Sequence, residues 1–457
     1  MAASPARRIA FDILRRVASE EGFASDLLYA KLAGRVGRAD AALATEITLG
    51  VLRWQRLLDF LVQRHLDKPA GRLDLEVLLA LRMGLYQMRF LERVPAHAAV
   101  SESVELVKSA RKRSAAPLVN AVLRRLAPEA KLAGRELEAL LPPQASAAER
   151  MAILYSHPTW LVERWLARLG ERRTVALLEA NNRAPRLCCA VRDPNDTPAA
   201  TESLRQEGFE VTPGRWLRAA LAISGGNPSA AEAFRLGQIS LQDEASQTVA
   251  HLMDAQTGDL VLDVCAAPGG KTGILARAVA PGGRVIAADA REHRLRSARK
   301  QMARTATENI CWVAMDATQP FPFEETFQRI LLDAPCSGTG TLARNPEIKW
   351  RLQPEDVTRS HIRQTAMLSQ ALGKLAPGGR LVYATCSLEP EENEQTVREA
   401  ISQYAGVRIV PGRMALEPSL RAGAAAASLF DADGFFRTFP PESGTDGFFA
   451  AVLERSA

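Results

Sequence analysis

The sequence predicts a multidomain protein with an all-helical N-terminal part, a small α/β module in the middle and a C-terminal α/β part. The chain has 457 residues, which is long for a single domain. Apolar residues recur with helical spacing near the N-terminus, and short apolar runs alternate with helix-length segments in the C-terminal half. Because 47% of the residues are hydrophobic, the chain can bury several cores, and a disordered protein is excluded.

Residues 1–140 read as helix throughout. Three apolar stripes have helical spacing: Ile9, Ile13 and Val17; Leu78, Leu81, Leu85 and Met88; Val119, Val122, Leu123 and Leu126. Residues 1–135 carry 23 Lys and Arg against 14 Asp and Glu, a net charge of +9, which leaves −3 for residues 136–457. This excess favours a polyanionic partner, although an arginine-rich solvated helix surface explains it about equally well.

Residues 149–235 read as a small α/β module. A helical pattern over 149–169 precedes an apolar β-like run at 187–191 and a turn at 193–196. Cys188 and Cys189 lie within that apolar run, which predicts a buried pair rather than a redox centre.

Residues 236–457 alternate strand and helix. Apolar runs predict strands at 260–264, 284–288, 310–314, 329–332 and 380–384, separated by helical segments such as 271–280, 291–305 and 357–376. This order predicts a mostly parallel sheet covered on both faces. Two Gly-Phe-Phe segments, 434–436 and 447–449, are too close for a crossover helix and predict an antiparallel hairpin at the sheet edge. Cys311, on the third strand, is expected in the core.

The loop after the first of these strands is rich in small residues. It runs from Cys265 to Thr272 as Cys-Ala-Ala-Pro-Gly-Gly-Lys-Thr. Ligands of open parallel sheets bind at the carboxyl ends of the strands, and small residues let the backbone approach them closely. The loop matches neither the dinucleotide fingerprint nor the phosphate-binding P-loop.

Carboxylates end four of the apolar runs: Asp263, Asp289, Asp316 and Asp333. An acid at the end of the second strand is placed to bind both ribose hydroxyls of a nucleoside cofactor. Each Asp alone is explained equally well as a helix cap. The prediction of a cofactor site therefore depends on the series of four.

Two cysteines, Cys336 and Cys386, follow the fourth and fifth strands in polar loops of small residues. A lone cysteine is more often a small buried apolar group. A pair at the ligand-binding edge of a sheet favours covalent catalysis by a thiolate.

At these motifs the sequence resembles a known family. Segments 261–272, 332–338, 344–350 and 383–387 resemble the S-adenosylmethionine-dependent RNA cytosine-C5 methyltransferases, which implies a Rossmann-like class I methyltransferase fold. Segments 81–88, 93–106 and 119–126 resemble the NusB-type RNA-binding domain. The combination is similar to the RsmB/Sun family, which methylates a cytosine of 16S ribosomal RNA.

The resemblance implies a role for each candidate residue. S-adenosylmethionine would be lined on its methionine side by Cys265, Ala266, Ala267, Pro268, Gly269, Gly270 and Lys271. Asp289 would hold the ribose, Asp316 the adenine end, and Asp333 would lie between cofactor and base. Cys386 would be the nucleophile, and Cys336 would assist product release. Lys349 matches a family motif near the active site, without an assigned step.

Several alternatives stay open at this point. The roles of the two cysteines can be exchanged, the RNA can be a transfer RNA or another ribosomal site, or an RNA-binding factor can carry an inactive methyltransferase half. Arg111–Arg113 and Arg124–Arg125 are expected to add affinity for RNA without sequence preference. For Arg111–Arg113, an exposed loop between helices is an equally good reading. Scattered histidines and the lack of C-x-x-C predict no metal site. We expect a cytoplasmic monomer without a membrane span.

Overall fold

The computed structural model describes residues 3–19, 22–32, 36–305 and 307–457. The chain divides into two compact units. The first unit comprises Met1–Ala184 with Leu342–Leu352, and the second comprises Pro185–Thr341 with Gln353–Ala457. The chain therefore leaves the second unit once, contributes an eleven-residue segment to the first, and returns.

The described part of the first unit up to residue 184 is helical. Its helices are α1 (Pro5–Ser19), α2 (Ala24–Leu32), α3 (Arg38–Gln63), α4 (Leu75–Phe90), α5 (Ala96–Ser109), α6 (Ala116–Leu126), α7 (Gly134–Glu138), α8 (Ala147–Leu154) and α9 (Thr159–Asn182). Apart from Leu78, the members of the three apolar stripes lie in or pack against one hydrophobic core. Helices α1 and α6 each bury one face, whereas α4 is buried on nearly all sides. The prediction of an all-helical N-terminal part is confirmed.

The helical pattern predicted over 149–169 is interrupted in the structure. Helix α8 ends at Leu154 and α9 begins at Thr159. Ser156 has a positive φ of 55°, and Pro158 is the N-cap of α9. The break has a local cause, since the residue before a proline avoids the helical conformation.

A four-stranded antiparallel sheet begins the second unit, in the order β2-β3-β1-β4. Its elements are β1 (Leu187–Val191), α10 (Thr197–Gln206), β2 (Glu210–Pro213), β3 (Ala220–Ser224), α11 (Glu232–Arg235) and β4 (Ile239–Leu241). Strand β1 occupies the predicted residues, and the prediction that Cys188 and Cys189 are buried is confirmed.

The larger sheet of this unit has the order β10-β12-β9-β8-β5-β6-β7, and β11 pairs with β12. The elements of this region are α12 (Glu244–His251), β5 (Leu260–Asp263), α13 (Gly270–Ala278), β6 (Arg284–Asp289), α14 (Glu292–Ala303), β7 (Ile310–Ala314), β8 (Phe327–Asp333), α15 (Ile348–Arg351), α16 (Pro354–Gly373), β9 (Leu375–Thr385), α17 (Glu394–Ile401), β10 (Val407–Val410), α18 (Arg413–Leu416), β11 (Phe436–Thr438), α19 (Pro440–Ser443) and β12 (Phe448–Arg455). Strands β5 to β9 pair in parallel, and β12 pairs antiparallel with β9, β10 and β11.

Two expectations about this sheet need correction. The antiparallel hairpin exists, but β12 lies between β9 and β10 rather than at the edge. The first six residues of β12 are all buried, so both faces of this strand are covered, as expected for an interior strand. Cys311 was expected in the core and is exposed, because β7 is the edge strand and is only half covered.

The strand order fixes where a ligand can bind. Strands β8 and β6 flank β5 on opposite sides, so the order reverses at β5. Ligands of open α/β sheets bind at such a reversal, beyond the carboxyl ends of the strands. The carboxyl ends of β5, β6 and β8 carry Asp263, Asp289 and Asp333, and Asp316 follows β7. Strands β8 and β9 lead into the two cysteine loops.

Candidate active site

The loop between β5 and α13 is a tight turn attached to the neighbouring strand. The Ala266 N–H donates to the carbonyl of Ala288 in β6 at 2.8 Å, and the Gly269 N–H donates to the Ala266 carbonyl at 2.7 Å. Gly269 has φ 103°, a conformation that residues with a Cβ avoid. Glycine at position 269 is therefore needed for the turn itself.

Two buried hydrogen-bond acceptors lie beside this turn. A Cβ placed on Gly270 would come within 3.1 Å of the Gln242 side chain. Gln242 Oε1 and Asp263 Oδ1 are buried, and neither has a hydrogen-bond partner among the residues that the structure describes. Two acceptors without donors indicate a site for a ligand that brings hydrogen-bond donors or positive charge.

Asp263 is buried, and only its Oδ2 is engaged, by the Thr272 hydroxyl at 2.7 Å. Burial raises the pKa of Asp263 to about 7, and the negative charges of Asp333 and Asp289 add to the rise. A cationic ligand would offset this cost by stabilising the ionised form.

Asp289 ends β6 and is nearly buried. Its Oδ1 accepts from the Arg291 N–H at 3.0 Å, and Arg294 Nη1 lies 3.4 Å from its Oδ2. Arg294 Nη2 also donates to the carbonyl of Ala267 at 3.0 Å. Arg294, which was not predicted from the sequence, thus connects the acid of β6 to the small-residue loop.

Asp316 follows β7 and is exposed. Its carboxylate accepts from the N–H of Thr318 at 2.9 Å and from the hydroxyl of the same residue at 2.8 Å. These hydrogen bonds lower the pKa of Asp316. The structure gives Asp316 a turn-forming role, and binding of adenine remains a prediction.

Asp333 ends β8 and forms an ion pair with Lys271. Lys271 Nζ lies 2.6 Å from Asp333 Oδ2 and 5.3 Å from the centroid of the Phe448 ring. Lys271 is largely buried, so the pair joins the first turn of α13 to the end of β8. Both residues were predicted as site residues, but their contact was not.

The two predicted cysteines meet. Their Sγ atoms are 3.3 Å apart, and both thiols are free and partly exposed. The hydrogen bond to Cys386 and burial raise the pKa of the Cys336 thiol.

The loops that carry the thiols are held by close backbone contacts. The Gly340 N–H donates to the Cys386 carbonyl at 2.9 Å, and the Gly447 N–H donates to the Gly340 carbonyl at 2.7 Å. A Cβ on Gly340 would lie only 2.1 Å from the Gly447 oxygen. Any other residue at position 340 would force these segments apart.

Glu392 is a buried residue of this site that the sequence analysis missed. Its Oε1 accepts from the Ser337 N–H at 2.8 Å, and its Oε2 accepts from the hydroxyls of both Ser337 and Ser387. The signal in the sequence was an acidic run directly after the second cysteine motif, Glu391-Glu392-Asn393-Glu394. Such a run ordinarily indicates a solvated surface.

Lys349 lies in the first unit, within the segment Leu342–Leu352. Its Nζ donates to the carbonyls of Arg53 at 2.7 Å and Ser156 at 2.9 Å, and to Asn182 Oδ1 at 3.1 Å. Burial lowers the pKa of Lys349 well below its usual value. These contacts give Lys349 a structural role in the helical unit.

The basic residues predicted to contact RNA lie on the surface of the first unit. Arg111, Arg113, Arg124 and Arg125 are exposed, whereas Lys112 is partly covered and forms an ion pair with Asp74 at 2.8 Å. In the part of the chain that the structure describes, no helix is long and apolar enough to cross a membrane. The same residues contain no group of three or more His, Cys, Asp or Glu side chains that could hold a metal ion.

Family models and a solved structure with the same fold define the class of this protein. Residues 250–454 match the family model "16S rRNA methyltransferase RsmB/F", residues 4–128 match the NusB family, and residues 157–229 match the ferredoxin-like domain of RsmF/B-like methyltransferases. The solved structure of PH0851 covers 99% of both chains with a TM-score of 0.82 at 24% identity, which shows the same fold. The molecule is a methyltransferase with a helical NusB-like N-terminal domain.

Full-length relatives identify the family. The probable ribosomal RNA small subunit methyltransferase B of Bacillus subtilis is 30% identical over 453 residues, which are 98% of each chain. The ribosomal RNA small subunit methyltransferase B of Vibrio cholerae is 34% identical over 429 residues, 91% of this chain and 90% of that protein. The chain belongs to the RsmB/F family of 16S rRNA methyltransferases, as the motif resemblance predicted.

Proposed function

We propose that this protein transfers a methyl group from S-adenosylmethionine to carbon 5 of a cytosine in 16S ribosomal RNA, with Cys386 as the covalent nucleophile. The observation that carries the proposal is the pair of thiols 3.3 Å apart, in loops that follow β8 and β9. The printed names of the full-length relatives support ribosomal RNA of the small subunit as the substrate. The matched family segments also support a division of the chain into 1–140, 149–235 and 236–457.

The residues around the small-residue loop fit S-adenosylmethionine. The unpartnered buried acceptors Asp263 Oδ1 and Gln242 Oε1 suit a ligand that carries a cationic sulfur and an ammonium group. The residues proposed to hold it are Cys265, Ala266, Ala267, Pro268, Gly269, Gly270, Lys271, Asp289, Asp316 and Asp333. When bound, S-adenosylmethionine supplies an electrophilic methyl group.

The thiols supply the chemistry that the base needs. Carbon 5 of cytosine is too weak a nucleophile on its own. Addition of the Cys386 thiolate to carbon 6 places the new electron pair on the ring and makes carbon 5 nucleophilic. The pair of Asp333 and Lys271, 2.6 Å apart, is proposed to supply the proton that the N3 edge takes up as that charge develops. The Lys271 ammonium passes a proton to the Asp333 carboxylate, and Asp333 passes it to N3.

Product release reverses the addition. The proton on carbon 5 leaves to a base, its bonding pair restores the ring double bond, and the carbon 6–sulfur pair returns to Cys386. The Cys336 thiol is in hydrogen-bonding distance of the departing sulfur and stabilises it as a thiolate. This geometry supports Cys336 as the residue that assists release.

Two single variants test the assignment. We expect Cys386→Ala to bind S-adenosylmethionine and RNA but to transfer no methyl group. Cys336→Ala should accumulate protein joined covalently to RNA, seen as a band that survives denaturing electrophoresis. If Cys386→Ala forms that band and Cys336→Ala does not, the two roles are exchanged.

The substrate needs a separate experiment. Bisulfite sequencing of ribosomal and transfer RNA from a strain lacking this gene should reveal one cytosine in 16S ribosomal RNA that has lost its methyl group. Restoring the wild-type gene, but not the Cys386→Ala gene, should restore the mark. Loss of the mark from transfer RNA or another ribosomal site instead would replace 16S ribosomal RNA as the substrate.

A further inference from the structure

One buried carboxylate connects the loops of both thiols. Ser337 follows Cys336 and Ser387 follows Cys386, and the hydroxyls of both serines donate to Glu392 Oε2. The two hydroxyl oxygens are themselves 3.0 Å apart. Glu392 is fully buried, so water does not compete for these hydrogen bonds.

The backbone pairing of the strands stops short of the thiols. The N–H of Ala334 donates to the carbonyl of Ala384 at 2.8 Å, at the end of the β8–β9 ladder. Cys336 and Cys386 each lie two residues beyond this pair, where the loops of parallel strands diverge. Beyond the ladder, the two loops are joined by the hydrogen bond from the Gly340 N–H to the Cys386 carbonyl and by side-chain contacts, and the side-chain contacts lie next to the two cysteines.

A side chain of helix α16 also contacts the Glu392 carboxylate. Gln364 Nε2 donates to Glu392 Oε1 at 3.2 Å and to the carbonyl of Pro335 at 2.9 Å. The Tyr383 hydroxyl donates to the backbone carbonyl of Glu392 at 2.6 Å. Gln364 thus helps to hold the carboxylate that contacts the serines. Tyr383 contacts only the backbone of Glu392.

We propose that Glu392 is a positioning residue of the thiol pair, whose carboxylate sets the separation of the Cys336 and Cys386 sulfurs through Ser337 and Ser387. Its meaning for the reaction rests on the proposed thiol chemistry, but the separation itself can be measured without RNA. The negative charge of Glu392 also contributes to the raised pKa of Cys336, which helps to keep the proton on that thiol.

A probe that requires two neighbouring thiols measures the separation directly. The trivalent arsenic of phenylarsine oxide bonds two thiol sulfurs, and its oxygen leaves as water with the two thiol protons. We expect the full-length protein to bind one equivalent at the pair and Cys386→Ala to lose that binding. Glu392→Ala should weaken the affinity at least tenfold, with Glu392→Gln in between.

Matched variants separate positioning from general stability. Tyr383→Phe also removes one buried hydrogen bond, from the backbone of Glu392 rather than from its carboxylate, and should keep the arsenical affinity within twofold. Ser337→Ala and Ser387→Ala each remove one hydroxyl link, and each should weaken the affinity less than Glu392→Ala does. These serine variants test the proposal even if Glu392→Ala does not fold.

Kinetics give a second readout. In Glu392→Gln, we expect kcat for methyl transfer to fall 10- to 100-fold while KM for S-adenosylmethionine stays within twofold. Wild-type arsenical affinity in Glu392→Ala, or an equal loss in Tyr383→Phe, would overturn the positioning role. If the wild-type protein binds the arsenical at its thiol pair yet methylates no RNA, the proposed function fails while the role of Glu392 in spacing the thiols stands.

Discussion

At the scale of single residues, Asp263 shows how burial prepares a site for a cation. Its pKa of about 7 arises mainly because the carboxyl is removed from water. The folded protein therefore binds a proton there that the unfolded chain, with an ordinary Asp pKa, has released by neutral pH. Folding stability without ligand should fall as pH rises from about 4 to about 7.

Asp263→Asn provides the corresponding prediction. The amide keeps an oxygen for the Thr272 hydroxyl but cannot ionise, so the cost of a buried charge above pH 7 disappears. Without ligand, we expect this variant to have a higher Tm than the wild type at pH 8 and the same Tm at pH 4. Thermal unfolding at both pH values measures this, and a wild-type difference between pH 4 and pH 8 that persists in Asp263→Asn would contradict it.

The same residue should respond to the cofactor. Because a cationic ligand favours the ionised carboxylate, we expect S-adenosylmethionine to raise the Tm of the wild type more than that of Asp263→Asn. Binding calorimetry at pH 6 and pH 8 should show tighter binding at the higher pH in the wild type only. Equal pH dependence in the two proteins would exclude Asp263 as the group responsible.

At the scale of elements, the larger sheet shows what can and cannot be predicted from a local sequence pattern. Strands β5 to β9 were predictable because five short apolar runs recur between helical segments. The position of β12 between β9 and β10 was not predictable, because a run of apolar residues indicates a strand but not the strands with which it pairs. Glu392 was missed for a related reason, since a local acidic run cannot reveal that two serine loops bury one member.

Gly340 offers a prediction about the contacts between elements. A Cβ at this position would come within 2.1 Å of the Gly447 carbonyl oxygen, a backbone atom that cannot move away easily. We expect Gly340→Ala to lower the stability of the protein by about 1–3 kcal/mol, the range for overpacked sites, and to reduce methyl transfer. Chemical denaturation and a methyl-transfer assay measure the two effects.

Gly373, in the last turn of α16, provides the matched control. Its φ is not positive, and the atom nearest to an added Cβ is the Tyr404 hydroxyl at 3.9 Å. Gly373→Ala should therefore be neutral or slightly stabilising, since alanine is the better helix former. If both variants lose equal stability, the close approach of residues 340 and 447 is not the cause.

At the scale of the whole molecule, the charge asymmetry predicts how RNA binds. Arg111, Arg113, Arg124 and Arg125 are exposed on the net-positive N-terminal part. Replacing all four by Gln should weaken RNA binding and flatten its salt dependence, by about 0.7 in slope for each lost contact with single-stranded RNA. Binding titrations at several salt concentrations measure the slope, with affinity for S-adenosylmethionine as the control. An unchanged slope would refute the role of these four arginines in RNA binding.

Point variants are preferable to truncation for this test. Removing the N-terminal helices would take away Arg53, whose carbonyl binds the buried Lys349 ammonium. The sequence motif around Lys349 suggested the catalytic neighbourhood, whereas the structure places the residue among helices. A motif records which residues occur together, and only the folded chain reveals which unit they stabilise.

The excursion of residues 342–352 also constrains the order of events during synthesis. The helical unit needs Lys349 for its interior, and that lysine is translated more than 160 residues after Asn182, the end of α9. A nascent chain can begin to collapse its early helices on the ribosome, but it cannot complete them. The helical unit therefore matures only once about half of the methyltransferase sequence, residues 236–352, has emerged.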